Sequence, residues 1–215
     1  MAAMEWCMNH DLQITSNSYG GYGSFTQAQR DQWQQAFDQF GMINIASAGN
    51  DSNTHMNPND PNSKQSYPSG YPAAIEISAI DESNNFANFT NYGTKTEFAA
   101  PGVRILSTGP GTVKKPVSGT AAQTYSLLQG TSMAAPHVTG YFALALSKWR
   151  FHPCSDMYMQ SSKKNEVLRT VAQKTADKMG FSGRDPNNGY GYGVIDCDSI
   201  VKKLLNPDIT TTTIA

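Results

Sequence analysis

Leu128-Gln129-Gly130-Thr131-Ser132-Met133-Ala134-Ala135-Pro136-His137-Val138 is the stretch from which the rest of the chain is best read. The Gly-Thr-Ser-Met-Ala run leads directly into an apolar helical pattern: Val138, Phe142, Ala145 and Leu146, then Trp149. That pattern predicts a helix with Ser132 at or beside its N-terminus, where free N–H groups and the positive end of the helix dipole collect. Negative charge developing on an attacked carbonyl would be stabilised there. The small neighbours Gly130, Ala134 and Ala135 leave room for a substrate to approach. A lone Gly-Thr-Ser is also what an ordinary helix N-cap looks like.

Chain order separates the architectures that use a serine nucleophile. Gly130-x-Ser132-x-Ala134 is near the G-x-S-x-G elbow, but that arrangement needs an acid and then a histidine after the serine. The last histidine is His152, and no Asp or Glu lies between Ser132 and His152. The elbow reading fails, and the question moves to what stands upstream.

Upstream, Met1 to Asp11 reads as an amphipathic helix with Met4, Met8 and Cys7 inward, and Leu12 to Ser18 as a short strand ending in Ser18-Tyr19-Gly20-Gly21. Thr26 to Phe40 is helical by period, with Trp33, Phe37 and Phe40 on one face and Gly41 as the stop. Met42 to Ser47 is a nearly continuous apolar strand, as a parallel sheet covered on both faces requires. It runs into Ala46-Ser47-Ala48-Gly49-Asn50, where an Asx-turn would be the plain explanation of Asn50. The stretch 51–69 is polar and reads as a surface loop, followed by a strand from Ile75 to Ile80. Further short β segments follow around Phe86 to Tyr92, Phe98 to Gly102, Ile105 to Thr108 and Tyr125 to Gln129. Beyond the Ser132 helix come a variable connection (150–162) and a second amphipathic helix from Lys164 to Lys178, with Val167, Leu168, Val171 and Ala172 inward. A Gly189-Tyr-Gly-Tyr-Gly193-Val-Ile-Asp196 turn and a short helix from Ser199 to Leu205 close the fold. Lys163, Lys164, Lys202 and Lys203 read as solvated helix faces. The Thr-rich stretch 207–215 reads as a tail or the start of a linker.

Taken together and in this order, these segments resemble the subtilisin-like serine proteases. The resemblance runs from Trp6 to about Leu205. It implies an α/β, three-layer fold with a mainly parallel sheet flanked by helices, here without its N-terminal strands, over a single domain at 1–206. It implies that Ser132 is the nucleophile and that the Asn50 side chain donates to the oxyanion. The edge at Ser18, Tyr19 and Gly20 would pair with an extended peptide substrate. Ser47, Ala48 and Gly49 would form the opposite wall, with space for a medium to large apolar side chain. Polypeptides would be the partners, and the complete protein would be an extracellular monomer. No cofactor is required, although a structural calcium in the complete domain is compatible with the family.

Composition agrees. The 215 residues have a net charge of −1, which speaks against nucleic acid or a membrane surface as partner, and no apolar run approaches the roughly 20 residues of a membrane span. Met1 to His10 lacks the basic start and continuous apolar core of a signal peptide. The three cysteines, Cys7, Cys154 and Cys197, are compatible with a single Cys154–Cys197 disulfide or with three buried free thiols.

Two parts of the family pattern do not occur: the Asp-Thr/Ser-Gly and His-Gly-Thr motifs that carry the other triad members. None of His10, His55, His137 and His152 is followed by glycine. His137 is five residues beyond Ser132, an offset that points it away from the serine on a helix, and it reads as a structural histidine. His55, with Asp51 before it, is the only in-order Asp–His–Ser candidate, but it lies in the wrong place for the family's base. The expectation is therefore a fragment that is inactive and loosely packed by itself. Two other readings remain: a non-catalytic module that binds extended peptides, and a general esterase.

Overall fold

The computed structural model describes residues 2–23, 26–52, 54–55, 64–108, 125–150, 162–179 and 190–205. Several expectations lie outside them: most of the 53–63 loop, the 151–161 connection with His152 and Cys154, the start of the glycine-rich turn and the Thr-rich tail. In chain order the elements begin with α1 (Ala2–Asn9), β1 (Ile14–Asn17), β2 (Gly21–Tyr22), α2 (Gln27–Asp38) and β3 (Ile43–Ser47). The short β4 (Thr54–His55) and β5 (Ser66–Tyr67) precede β6 (Ala74–Ile80), β7 (Tyr92–Gly93), β8 (Thr96–Pro101), β9 (Ile105–Thr108) and β10 (Tyr125–Leu128). Helices α3 (Thr131–Trp149), α4 (Ser162–Thr175) and α5 (Cys197–Leu205) complete the chain.

The centre is a four-stranded parallel sheet in the order β1-β3-β6-β8. Alternation along β3 divides the interior into two cores. Ile43 and Ile45 join Ile75, Ile77, Val138, Phe142 and Trp149, with Leu168 of α4 and Ile200 of α5. Met42 and Ala46 join Met4 and Met8 of α1 and Trp33 and Phe37 of α2. Every residue of β3 and β6 is buried, as a strand covered on both faces requires, and the polar ones are hydrogen-bonded: Asn44 to Thr15, Ser47 to Asn17 O, Glu76 to Thr96 and Ser78 to Phe98 O. The result is the expected α/β arrangement of three layers: α1 and α2, the sheet, then α3, α4 and α5.

The two edges of the sheet differ. Beside β8, Val194 bridges to Ala99, the Ala99 N–H donates to Gly193 O at 3.0 Å, and the Tyr192 N–H donates to Glu97 O at 2.7 Å. Gly193 adopts φ +131°, and a Cβ there would fall 2.1 Å from Asp177 O, so the turn closes this edge only with glycine. The salt bridge between buried Glu97 and Arg169 of α4 ties the same edge to the helical layer. At the other end, no strand among the described residues pairs with the outer side of β1.

Four details depart from the sequence expectations. Phe40 is exposed, because α2 ends at Asp38 and Phe40 lies beyond the helical face its period assumed. Between residues 81 and 95 the β structure is limited to β7 and an isolated antiparallel bridge of Phe86 to Ile80, since Asp81 collects the N–H groups of Ser83 and Asn85 in a tight turn. Cys197 is exposed at the start of α5 and Cys7 is half-buried, so these two are not buried thiols. Finally, Lys164 does not sit on a solvated face: it is 1% exposed, and its Nζ meets no acceptor among the described residues.

A lysine without an acceptor resists protonation, and burial pushes Lys164 down to about 8 from its ordinary 10.5. Between those values the unfolded chain holds a proton that the folded chain does not. Folding stability from this group is therefore lowest below the folded pKa and rises with pH through that window. Lys164→Met should remove the slope and raise stability at neutral pH, as measured by urea unfolding at about pH 7 and about pH 10. An unchanged slope in the variant would reassign the pH dependence to another group.

Candidate active site

The carboxyl ends of β1 and β3 and the N-terminus of α3 meet at one point. Parallel sheets place their clefts at this end of the strands, and a helix N-terminus brings unpaired N–H groups to it. The Asn50 side chain joins β3 to the start of α3. Asn50 Oδ1 accepts the Thr131 N–H at 2.8 Å and the Thr131 hydroxyl at 3.1 Å. Thr131 Oγ1 in turn accepts the Gly49 N–H at 3.1 Å. These bonds fix the amide's orientation, because only the oxygen can accept from a backbone N–H. Among the described residues the Asn50 Nδ2 group meets no acceptor. Among the described residues no acceptor meets the Ser132 N–H either.

Ser132 is half-buried on the first turn of α3. Its hydroxyl donates to Ser18 O at 3.2 Å, and the Ser18 hydroxyl donates to Ser132 O at 2.8 Å. The second bond has a cause in the sequence. Pro136, inside α3, has no N–H to offer the carbonyl four residues earlier, so Ser132 O is free to accept from the end of β1.

Ser18, Tyr19, Gly20, Ser47, Gly49, Asn50 and Ser132 line one cavity of about 530 Å³. Of the residues singled out from sequence, Ala48 alone does not line it. It is fully buried, with its N–H bonded to Ile77 O and its carbonyl accepting from Asn91 Nδ2. Five further residues line it: Gly21, Tyr22, Asp51, Ser66 and Thr131, of which Asp51 was singled out only as the partner of His55. Thr131 was quoted only as part of the serine motif, and nothing in its type announced a clamp. The cavity is rich in hydroxyls and holds a carboxylate.

The histidines stand elsewhere. His137 is exposed on α3 and donates from Nδ1 to Met133 O at 2.8 Å, a hydrogen-bonded helix residue as expected, though not a packed one. His10 donates to Trp6 O and stacks on the Trp6 ring at 4.0 Å. His55 lies on β4, paired in parallel with Gly93 of β7. Neither His10 nor His137 lines the cavity.

Gly130 gives the most direct test of the geometry. It caps α3 at φ +146°, and a Cβ there would stand 3.3 Å from Asn50 Nδ2. Gly130→Ala should cost about 1–3 kcal/mol of stability through backbone strain. It should also displace the Asn50 amide, visible as a shift of its side-chain NH₂ resonances in NMR spectra. An unperturbed amide would show that the clamp does not depend on Gly130.

Comparison with known proteins agrees with this construction. The family model described as "Subtilase family" matches residues 1–193. Fervidolysin of Fervidobacterium pennivorans is 32% identical over 209 residues, covering 91% of this chain and 26% of that protein. Subtilisin DY of Bacillus licheniformis is 33% identical over 202 residues, covering 93% of this chain and 60% of the relative. The crystal structure of fervidolysin, titled as that of a keratinolytic enzyme related to subtilisin, superposes with a TM-score of 0.73 at 30% identity, over 94% of this chain and 28% of that one. This chain thus spans only part of the length of these relatives. With the sheet, the serine-bearing helix N-terminus and the asparagine in place, the chain belongs to the subtilase family.

Proposed function

We propose that this chain carries the nucleophile and oxyanion half of an extracellular serine endopeptidase acting on polypeptides. The observation that carries the reading is the orientation of Asn50. Its oxygen is consumed by Thr131, so its NH₂ is available beside Ser132. In this mechanism Ser132 Oγ attacks a peptide carbonyl. The oxyanion that forms is held by Asn50 Nδ2 and the Ser132 N–H, two donors that meet no acceptor among the described residues. A backbone carbonyl cannot take the serine proton, so the Ser18 O that now accepts it is not a base. The general base and the acid that orients it come from a further segment, entering beside the outer side of β1. With that segment the leaving amine is protonated by the base, and water repeats the attack on the acyl-enzyme.

The reading of the chain as a peptide-binding module has one observation in its favour, the Ser132 hydroxyl parked on Ser18 O. A pure binder has no use for an oriented, unspent Asn50 amide.

The chain alone should show no measurable peptide hydrolysis, and addition of the segment carrying the acid and base, in one chain or as a separate piece, should restore it. In the restored enzyme a fluorophosphonate probe should label Ser132 and fail to label Ser132→Ala. Asn50→Ala should lower kcat by about 10²–10³ with little change in KM, a magnitude carried over from an oxyanion donor of this family. Turnover that survives Ser132→Ala would remove the assignment. An Asn50→Ala effect confined to KM would leave Asn50 as a turn residue.

A further inference from the structure

Asparagine is an unfavourable residue for a strand, and its amide is costly to bury unless it is hydrogen-bonded. Asn17 nevertheless ends β1 and is only 5% exposed. Each half of its amide has a task. Nδ2 donates to Ile45 O of β3 at 2.9 Å and to Thr15 Oγ1 at 3.0 Å. Thr15 donates onward to Asn44 Oδ1 at 2.8 Å, which braces the amide against the neighbouring strand. The Asn17 carbonyl accepts the Ser47 hydroxyl at 3.4 Å. A backbone carbonyl accepts only from the NH₂ side of an amide, so the bond to Ile45 O turns Oδ1 the other way. There it accepts the Tyr19 hydroxyl at 3.0 Å.

That last bond skips Ser18 and closes residues 17–19 into a side-chain loop around it. On the far side the chain is held by a close approach: a Cβ on Gly20 would stand 2.9 Å from Ser66 Oγ and 3.0 Å from Tyr67 O, and β2 pairs with β5 from Gly21 onward. The edge therefore spans two anchors, Asn17 and the β2–β5 pair. Between them the Tyr19 backbone pairs with no backbone group among the described residues. An extended peptide adds to such an open stretch through main-chain hydrogen bonds, and it binds best where the stretch is fixed beforehand. We propose that Asn17 is a positioning residue for extended substrates, holding the backbone of Ser18 and Tyr19 through Ile45 O on one side and the Tyr19 hydroxyl on the other. This assignment rests on the endopeptidase reading above. Asn17 does not line the cavity and acts only through its neighbours. What it governs is how well the enzyme uses a long peptide over a short substrate with the same reacting bond.

The test has two arms, one of which needs no catalysis, and both use the restored enzyme. In the first, a hexapeptide amide that runs along the edge is compared with an acylated single-residue ester carrying the same residue before the cleaved bond. Asn17→Ala should lower the hexapeptide-to-ester ratio of kcat/KM about ten-fold, chiefly through KM of the hexapeptide. Tyr19 is 60% exposed, so Tyr19→Phe removes one hydroxyl from a surface ring and should leave the thermal unfolding midpoint unchanged. It should lower the same ratio, and adding it to Asn17→Ala should lower the ratio no further, because both changes break one tether. In the second arm, binding of the same hexapeptide to the Ser132→Ala enzyme, followed by calorimetry, should weaken with either change. Equal losses on hexapeptide and ester would reduce Asn17 to a merely structural residue. Ser132-dependent turnover with an unchanged ratio in Tyr19→Phe would likewise overturn the positioning role and leave the catalytic reading standing. Hexapeptide binding that requires Asn17 and the Tyr19 hydroxyl, without Ser132-dependent turnover, would do the reverse.

Discussion

Everything at the site depends on the two hydrogen bonds that Asn50 Oδ1 accepts from Thr131. Each is worth only about 1 kcal/mol net, yet together they decide which way the amide faces. They also join the end of a central strand to the start of the longest helix, elements that are remote in sequence. Gly130 adopts its unusual dihedral so that the amide fits, and Gly49 brings its N–H to the Thr131 hydroxyl. Reversal of the amide would set Nδ2 against the Thr131 N–H, donor against donor, and Thr131 thereby forbids it.

That clamp is possible only because the sheet delivers its strand ends to one place. β1 ends at Asn17 and β3 at Ser47, both running toward the N-terminus of α3. α3 lies across the sheet with Ala134, Ala135 and Val138 buried, and these small side chains let the first turn of the helix come close to the strand ends. Packing thus comes before chemistry here. The serine is placed by the burial of the helix behind it, and of the two donors beside it one is a backbone N–H that the fold supplies and the other is the Asn50 amide.

Much of this was legible in the sequence, for a physical reason in each case. The apolar period of 131–149 marked the helix, and the continuous apolar run of 42–47 marked a doubly covered strand. Asn50 and Ser132 stood at the ends of these elements, where polar residues have functional or capping roles. What could not be read was anything that depends on where a side chain goes after its backbone is placed. Lys164 has the composition of a surface residue and is buried. Phe40 continues the helical period on paper, but the helix has already ended. Tyr22 and Asp51 carry no spacing signal, because the cavity they share is assembled by Asn91, which bonds to both from a third segment. Ala48 sits between two lining residues and yet turns inward, since alternation along an extended chain sends neighbours to opposite sides.

Pro136 has an effect that reaches past the serine. In a regular helix the carbonyl of residue 132 would be satisfied internally, and Ser132 would not depend on β1. Here the helix is one bond short, and the bond is completed by Ser18 at the tip of the outermost described strand. The serine is thereby mechanically coupled to the margin of the sheet. A strand added outside β1 would stiffen that margin and, through Ser18, the first turn of α3. Whatever restrains that margin restrains the first turn of α3 as well, so the placement of Ser132 is shared between its own helix and the strand beside it.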